Sequence, residues 1–150
     1  MKKYSIVIIN LLALCLGLLV SRGIAKENTG NVDGAIASYT KAIELDPKNA
    51  KAYYDRGLAE ANKNDWDGAI ADYTKAIKLD PKYATAYLDR QVAKAMKGDW
   101  EGVIDDATKC LELDPNSARA YNNRAGAALK NSNWDGAIAD YTRAIKLDPK

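Results

Sequence analysis

No histidine occurs anywhere in the 150 residues, so the commonest general base and the commonest metal ligand are both missing. Cysteine is almost as scarce: Cys15 lies in an apolar stretch near the N-terminus and Cys110 stands alone in a helical pattern. That leaves no disulfide framework and no paired metal-ligand spacing. There is no glycine-rich phosphate loop and no nucleophile beside a base. Carboxylates such as Asp105 and Asp106 are plentiful, but on a helix-rich surface they are solvated faces far more often than acid–base pairs. The chain is therefore expected to be no enzyme, to have no catalytic residues, and to hold neither metal nor cofactor.

A dominant charge is lacking too. Of the 22 basic residues, Lys2, Lys3 and Arg22 precede every acid, and the remaining 19 face 20 acidic residues. A surface so balanced excludes the basic footprint that nucleic acid requires, and it is not an acidic disordered tail either.

What is present is a period. Asp-Pro pairs fall at Asp46-Pro47, Asp80-Pro81, Asp114-Pro115 and Asp148-Pro149, and tryptophans at Trp66, Trp100 and Trp134, each series spaced by 34. A fixed period of this size marks stacked units, none of which can bury its own apolar face alone. Within the first complete unit, Ala50–Lys63 and Trp66–Leu79 are rich in Ala, Leu, Lys and Glu, and Asn64-Asp65 supplies a capping oxygen between them. Proline then ends the second helix and pushes the preceding aspartate out of the helical region. In that second helix Trp66, Ala69, Ile70, Tyr73, Ala76 and Ile77 recur at spacings of three and four and line one face. The small alanines let a neighbouring helix approach closely, and the aromatics fill the gaps beside them.

On these residues the unit resembles the tetratricopeptide repeat, with Tyr53, Gly57, Ala69, Tyr73, Ala76 and Pro81 at the family's aromatic, glycine, alanine, aromatic, alanine and proline positions. The resemblance runs from Ser21 to the C-terminus. It implies an all-α, right-handed superhelical solenoid of antiparallel helix pairs whose first helices line a concave groove. It divides the chain into a partial first repeat at 16–49, repeats at 50–83 and 118–150, and a divergent repeat at 84–117. It also implies a protein or peptide partner held by first-helix positions. Those are Lys51, Tyr54, Asp55, Leu58 and Asn62; then Thr85, Leu88, Asp89, Val92 and Met96; then Arg119, Asn122, Asn123, Gly126 and Lys130. Such a groove would have apolar walls at Leu58, Leu88, Val92 and Met96, acids at Asp55 and Asp89, and a basic end at Arg119 and Lys130. The family's clamp for a chaperone's C-terminal carboxylate is absent, because its basic and amide positions are here Tyr54, Leu58, Asp89, Arg119 and Asn123.

Residues 1–25 read differently. Met1-Lys2-Lys3 precedes an apolar run, Tyr4 to Val20, of 17 residues, about 25 Å as a helix against the roughly 30 Å of a bilayer core. This is the layout of an export signal, with Gly23-Ile24-Ala25 as the cleavage site, or of a membrane anchor through residues 4–20 if it is not cut. Leu14 before Cys15 argues against a lipoprotein signal. The expected location is accordingly extracytoplasmic, secreted or periplasmic, or membrane-anchored. Ser21–Lys26 also aligns with Asp55–Glu60 at the 34-residue offset, so the leader runs into the first repeat in phase.

The divergent unit carries Val103, Ala107, Cys110 and Leu111 where the others keep Ala, Tyr, Ala and Ile, and Gln91 replaces the glycine at 57. Compensated packing is the expectation, with Val103 enlarging one position as Ala107 shrinks another, and Cys110 acting as a small hydrophobe. The column Arg22, Arg56, Arg90 and Arg124 is expected to pack between helices with its heads paired or wet. The function these features support is a non-enzymatic adaptor binding a peptide in the concave face. The alternative is an assembly scaffold, a homo-oligomer formed through the C-terminal repeat, for which Tyr141 and Ile145 are the indicated residues.

Overall fold

The Asp-Pro pairs act as the sequence predicts. Asp80, Asp114 and Asp148 close their helices in an extended conformation, with φ near −131°, −134° and −135°. The carboxylates of Asp46, Asp80 and Asp114 then accept the amides of Lys48, Lys82 and Asn116 at 3.0, 3.0 and 3.1 Å. Proline forbids the next helical turn while aspartate satisfies an amide that the helix leaves over. Five of the helices start on a side-chain cap, whereas the helix that follows Tyr83 has none. Asn49, Asp65, Asp99, Ser117 and Asn133 accept from the amides of Ala52, Gly68, Gly102, Ala120 and Gly136. At the tight turn inside each unit, one residue takes a positive φ at the same repeat position: Asn64, Gly98 and Ser132, at 62°, 78° and 58°.

The computed structural model describes residues 29–149. Among these there are seven helices and no strand: α1 Thr29–Leu45, α2 Ala50–Asn62, α3 Trp66–Leu79, α4 Ala84–Lys97, α5 Trp100–Leu113, α6 Ala118–Lys130 and α7 Trp134–Leu147. The first complete unit is α2 and α3, one residue shorter in α2 than predicted because Lys63 serves as the cap. The second helix of the partial first repeat begins at Thr29. Consecutive helices pack together along the whole series, and successive first helices, α2 with α4 and α4 with α6, also meet. Successive second helices meet less than these do, so the first helices form the inner layer. The leader, with its expected signal or anchor through residues 4–20, lies outside the described residues. Among the described residues no helix is long and apolar enough to cross a membrane.

Close approach is made by alanine. Ala69, Ala76, Ala86, Ala107, Ala120 and Ala125 are wholly buried where helices cross, and dispersion between backbones at that spacing replaces the bulk of larger side chains. Where the chain has Gly57, a methyl group would come within 2.8 Å of the Tyr73 ring, so that glycine makes room for the tyrosine. In the next unit the two positions hold Gln91 and Ala107, both fully buried. The packing is thus compensated, as expected, but the larger exchange is Gln91 for glycine against Ala107 for tyrosine.

The arginine column ties the units together. Arg56, Arg90 and Arg124 each donate two bonds to an aspartate of their own unit, Asp72, Asp106 and Asp140, at 2.6 to 2.8 Å. Each also donates a third to a threonine of the unit before, Thr40, Thr74 and Thr108, at 3.1, 2.8 and 3.3 Å. Lysines repeat the link further along: Lys63 reaches Asp33 at 2.7 Å and Lys97 reaches Asp67 at 2.9 Å. The guanidinium fork suits a bidentate carboxylate, and its remaining donor fixes which neighbour a helix may sit on. The heads are therefore structural.

Candidate functional site

None of the fifteen first-helix positions named from the sequence is fully buried. The buried residues of the same helices form a separate set, Ala52, Gly57 and Ala59 on α2, then Ala86, Tyr87, Gln91 and Ala93 on α4, then Ala120, Ala125, Ala127 and Ala128 on α6. Helical periodicity sorts the two sets onto opposite sides. Lys51, Asn62, Thr85, Met96, Arg119 and Lys130 are exposed, and the others are half-buried.

At the centre of the face one carboxylate joins all three first helices. The Tyr54 hydroxyl on α2 donates to Asp89 Oδ2 on α4 at 2.7 Å, and Arg119 Nη2 on α6 donates to Asp89 Oδ1 at 2.8 Å. The Tyr54 ring leans on Tyr83 and Tyr73, with centroids 4.8 and 5.7 Å away. Burial first, and the bond to Asp89 second, push the Tyr54 phenol well above its ordinary range. It therefore stays a neutral donor. The structure brings Tyr54, Asp89 and Arg119 together as one chain of polar contacts and pairs Lys51 with Asp55 at 2.6 Å. This corrects the picture of free acids facing a basic end: residues 30 apart in sequence stand opposite each other on adjacent first helices, so Asp89 and Arg119 largely neutralise one another. Lys130 lies away from that group, its ammonium 5.5 Å from the ring centre of Trp100.

The walls are mixed. Leu58 packs against the cluster of Ala69, Tyr73 and Ala93, and Leu88 against that of Tyr87, Cys110, Leu111 and Ala120; each shows only part of its side chain. Met96 is the more open apolar residue, 39% exposed. Asn123 donates to Gln91 Oε1 at 3.0 Å, while the Gln91 Nε2 has no partner among the described residues. One residue of the face escaped the sequence reading: Tyr83 precedes its helix and so falls outside the repeat's first-helix positions. Behind the face, the buried Gln91 shows itself in the sequence only as an outsize residue in a glycine column.

Chemically the face offers hydrogen bonds and a shallow apolar strip. Among the described residues no group of three or more histidine, cysteine, aspartate or glutamate side chains could hold a metal. Burial pushes the Cys110 thiol up, the direction that makes a thiol less nucleophilic at neutral pH.

Models of the tetratricopeptide repeat match residues 20–84 and 118–150. Among solved structures, the TPR domain of Arabidopsis OM64 is 29% identical, with a TM-score of 0.66, covering 67% of this chain and 84% of that one. MamA of AMB-1 is 24% identical with a TM-score of 0.73, covering 85% and 75%. The MamA RS-1 ArsTM double mutant is 20% identical with a TM-score of 0.76, covering 87% and 74%. The MamA likenesses show a common fold. No curated protein matches the chain.

Proposed function

Because the chain belongs to the tetratricopeptide repeat family, whose repeats are protein–protein interaction modules, we propose that it is a non-enzymatic adaptor. Its partner is a peptide or protein segment laid across α2, α4 and α6. The observation that carries this reading is the Tyr54–Asp89–Arg119 chain, which locks three helices side by side in advance of any ligand. A rigid floor lowers the ordering cost of binding. Since the charges on that floor are mutually satisfied, the ligand is selected by the open apolar strip ending at Met96 and by the exposed edges at Thr85 and Asn62 rather than by net charge. The basic start and apolar run of residues 1–25 support a place outside the cytoplasm or at a membrane.

Peptides selected from a displayed library on the intact protein test the face. Met96→Asp and Thr85→Arg lie on exposed positions and leave the helical circular dichroism unchanged, and each is expected to weaken the selected peptides at least tenfold. Peptides that bind wild type and both variants equally would place recognition elsewhere. Intact mass after cell fractionation tests the location: a product starting at Lys26 supports export, full-length protein in the membrane fraction supports an anchor, and soluble full-length protein refutes both.

A further inference from the structure

The outer side of α7 lies open among the described residues. Trp134–Pro149 repeats Trp66–Pro81 with one change, Arg143 for Lys75, so α7 presents almost the same surface as α3. In α3 that surface is occupied by α4. Ile77 packs against the cluster around Tyr87, Arg90 Nη1 donates to Thr74 at 2.8 Å, and Lys97 bonds Asp67 at 2.9 Å. The corresponding residues of α7 stand open. Trp134, Ile138 and Ile145 are 61%, 45% and 42% exposed, whereas Trp66, Ile70 and Ile77 are half-buried. Thr142 bonds only back to the Ile138 carbonyl, and Asp135 has no partner among the described residues. Tyr141, which the sequence assigned to this surface, is instead buried inside its own unit beside Ala125, because the repeat's second aromatic faces its own first helix.

The geometry points to a partner of stated chemistry: another protein's amphipathic helix bearing tyrosine, arginine three residues later and lysine seven after that. This is the pattern of Tyr53, Arg56 and Lys63 on α2 and of Tyr87, Arg90 and Lys97 on α4, the two helices that meet a threonine and an aspartate in this way. The tyrosine covers Ile145, the arginine takes Thr142 and the lysine takes Asp135. A second copy of the chain is the poorer occupant. In both described helices with the full pattern, the arginine and the lysine are already engaged, so a second copy would have to open its own array to offer one.

The probe is a helix-stapled, fluorescent peptide with the sequence of residues 81–98, titrated into the intact protein and followed by anisotropy. Saturable binding is expected below about 1 mM. Ile138→Asp and Ile145→Asp should each weaken it at least tenfold, as should alanine at the peptide's arginine. Met96→Asp, on the inner face, should bind the peptide as wild type does, which separates this site from the groove. If either isoleucine variant loses its helical signal, Asp135→Lys replaces it and must weaken the peptide by charge repulsion alone. Failure to saturate overturns the proposal, as does binding that survives these α7 changes or falls equally with Met96→Asp. So does a doubled mass in light scattering that Ile145→Asp abolishes, since a second copy would then hold the face.

Discussion

Glu60 is the residue at which one unit departs most sharply from its neighbour in charge, and replacing it should stabilise the protein. One period later the position is Lys94, whose ammonium bonds Asp106 at 3.2 Å and the Gly102 carbonyl at 3.3 Å. In the first unit the glutamate sits beside the buried Asp72. Arg56 directs its short bonds to Asp72 and lies 4.0 Å from Glu60, and Glu60 Oε2 has no partner among the described residues. Burial, and next the Asp72 charge, raise the Glu60 carboxyl from 4.5 to about 7. A folded-state value above the unfolded one means that the glutamate's contribution is fully present below pH 4.5. It is lost as pH rises through about 7. At about 1.4 kcal/mol per unit, discounted because the carboxyl is partly solvated, the ionised form costs about 1–2 kcal/mol at pH 8. Glu60→Gln should therefore match wild type at pH 4.5 and exceed it by that amount at pH 8, a rise of roughly 2–8 °C in Tm. Glu60→Lys, copying Lys94, should gain at least as much at pH 8. Thermal unfolding followed by circular dichroism at the two pH values measures this. A difference between wild type and Glu60→Gln that does not change with pH would refute the like-charge account.

The same register predicts unequal costs along the arginine column. Arg56→Ala leaves Asp72 beside Glu60 with no other cation bonded to it among the described residues, whereas Arg90→Ala leaves Asp106 still bonded to Lys94; urea midpoints should show a loss of about 3–5 kcal/mol for the first and clearly less for the second. Cys110, wholly buried and with its thiol pushed up by burial, should react with a thiol reagent only at the rate of unfolding, so that native-state labelling within seconds would contradict its role as a small hydrophobe. Gln91→Gly opens a void and Ala107→Tyr overfills one, each costing about 1–3 kcal/mol, but together they recreate the Gly57 and Tyr73 pair; a double-mutant cycle should return a favourable coupling of about 2 kcal/mol, and simple additivity would refute it.

Periodicity made the fold legible, because a stop such as Asp80-Pro81 and a cap such as Asp65 act within a few residues of themselves. The helical face of Trp66, Ala69, Ile70 and Tyr73 was legible for the same local reason. Contacts between units were not. Nothing within a window of one repeat announces that Asp89 accepts from both Tyr54 and Arg119, since the three residues come from three units and meet only once first helices are side by side. Tyr141 was misplaced on the outer surface for a related reason. Tyrosine at that column looks like end-face material until its ring is seen against its own unit's first helix.

Comparing columns instead of windows recovers part of what was missed. A glycine at 57 with tyrosine at 73 against glutamine at 91 with alanine at 107 conserves volume across one helix pair, and a glutamate at 60 against a lysine at 94 reverses charge beside one retained aspartate. In the first comparison two changes offset each other, so the packing survives. In the second the neighbouring acid, Asp72, does not change, so the difference stays as an uncompensated strain confined to the first complete unit. Repeats of nearly equal sequence can therefore differ in stability through one unpaired column, and the array should begin to open where that column is.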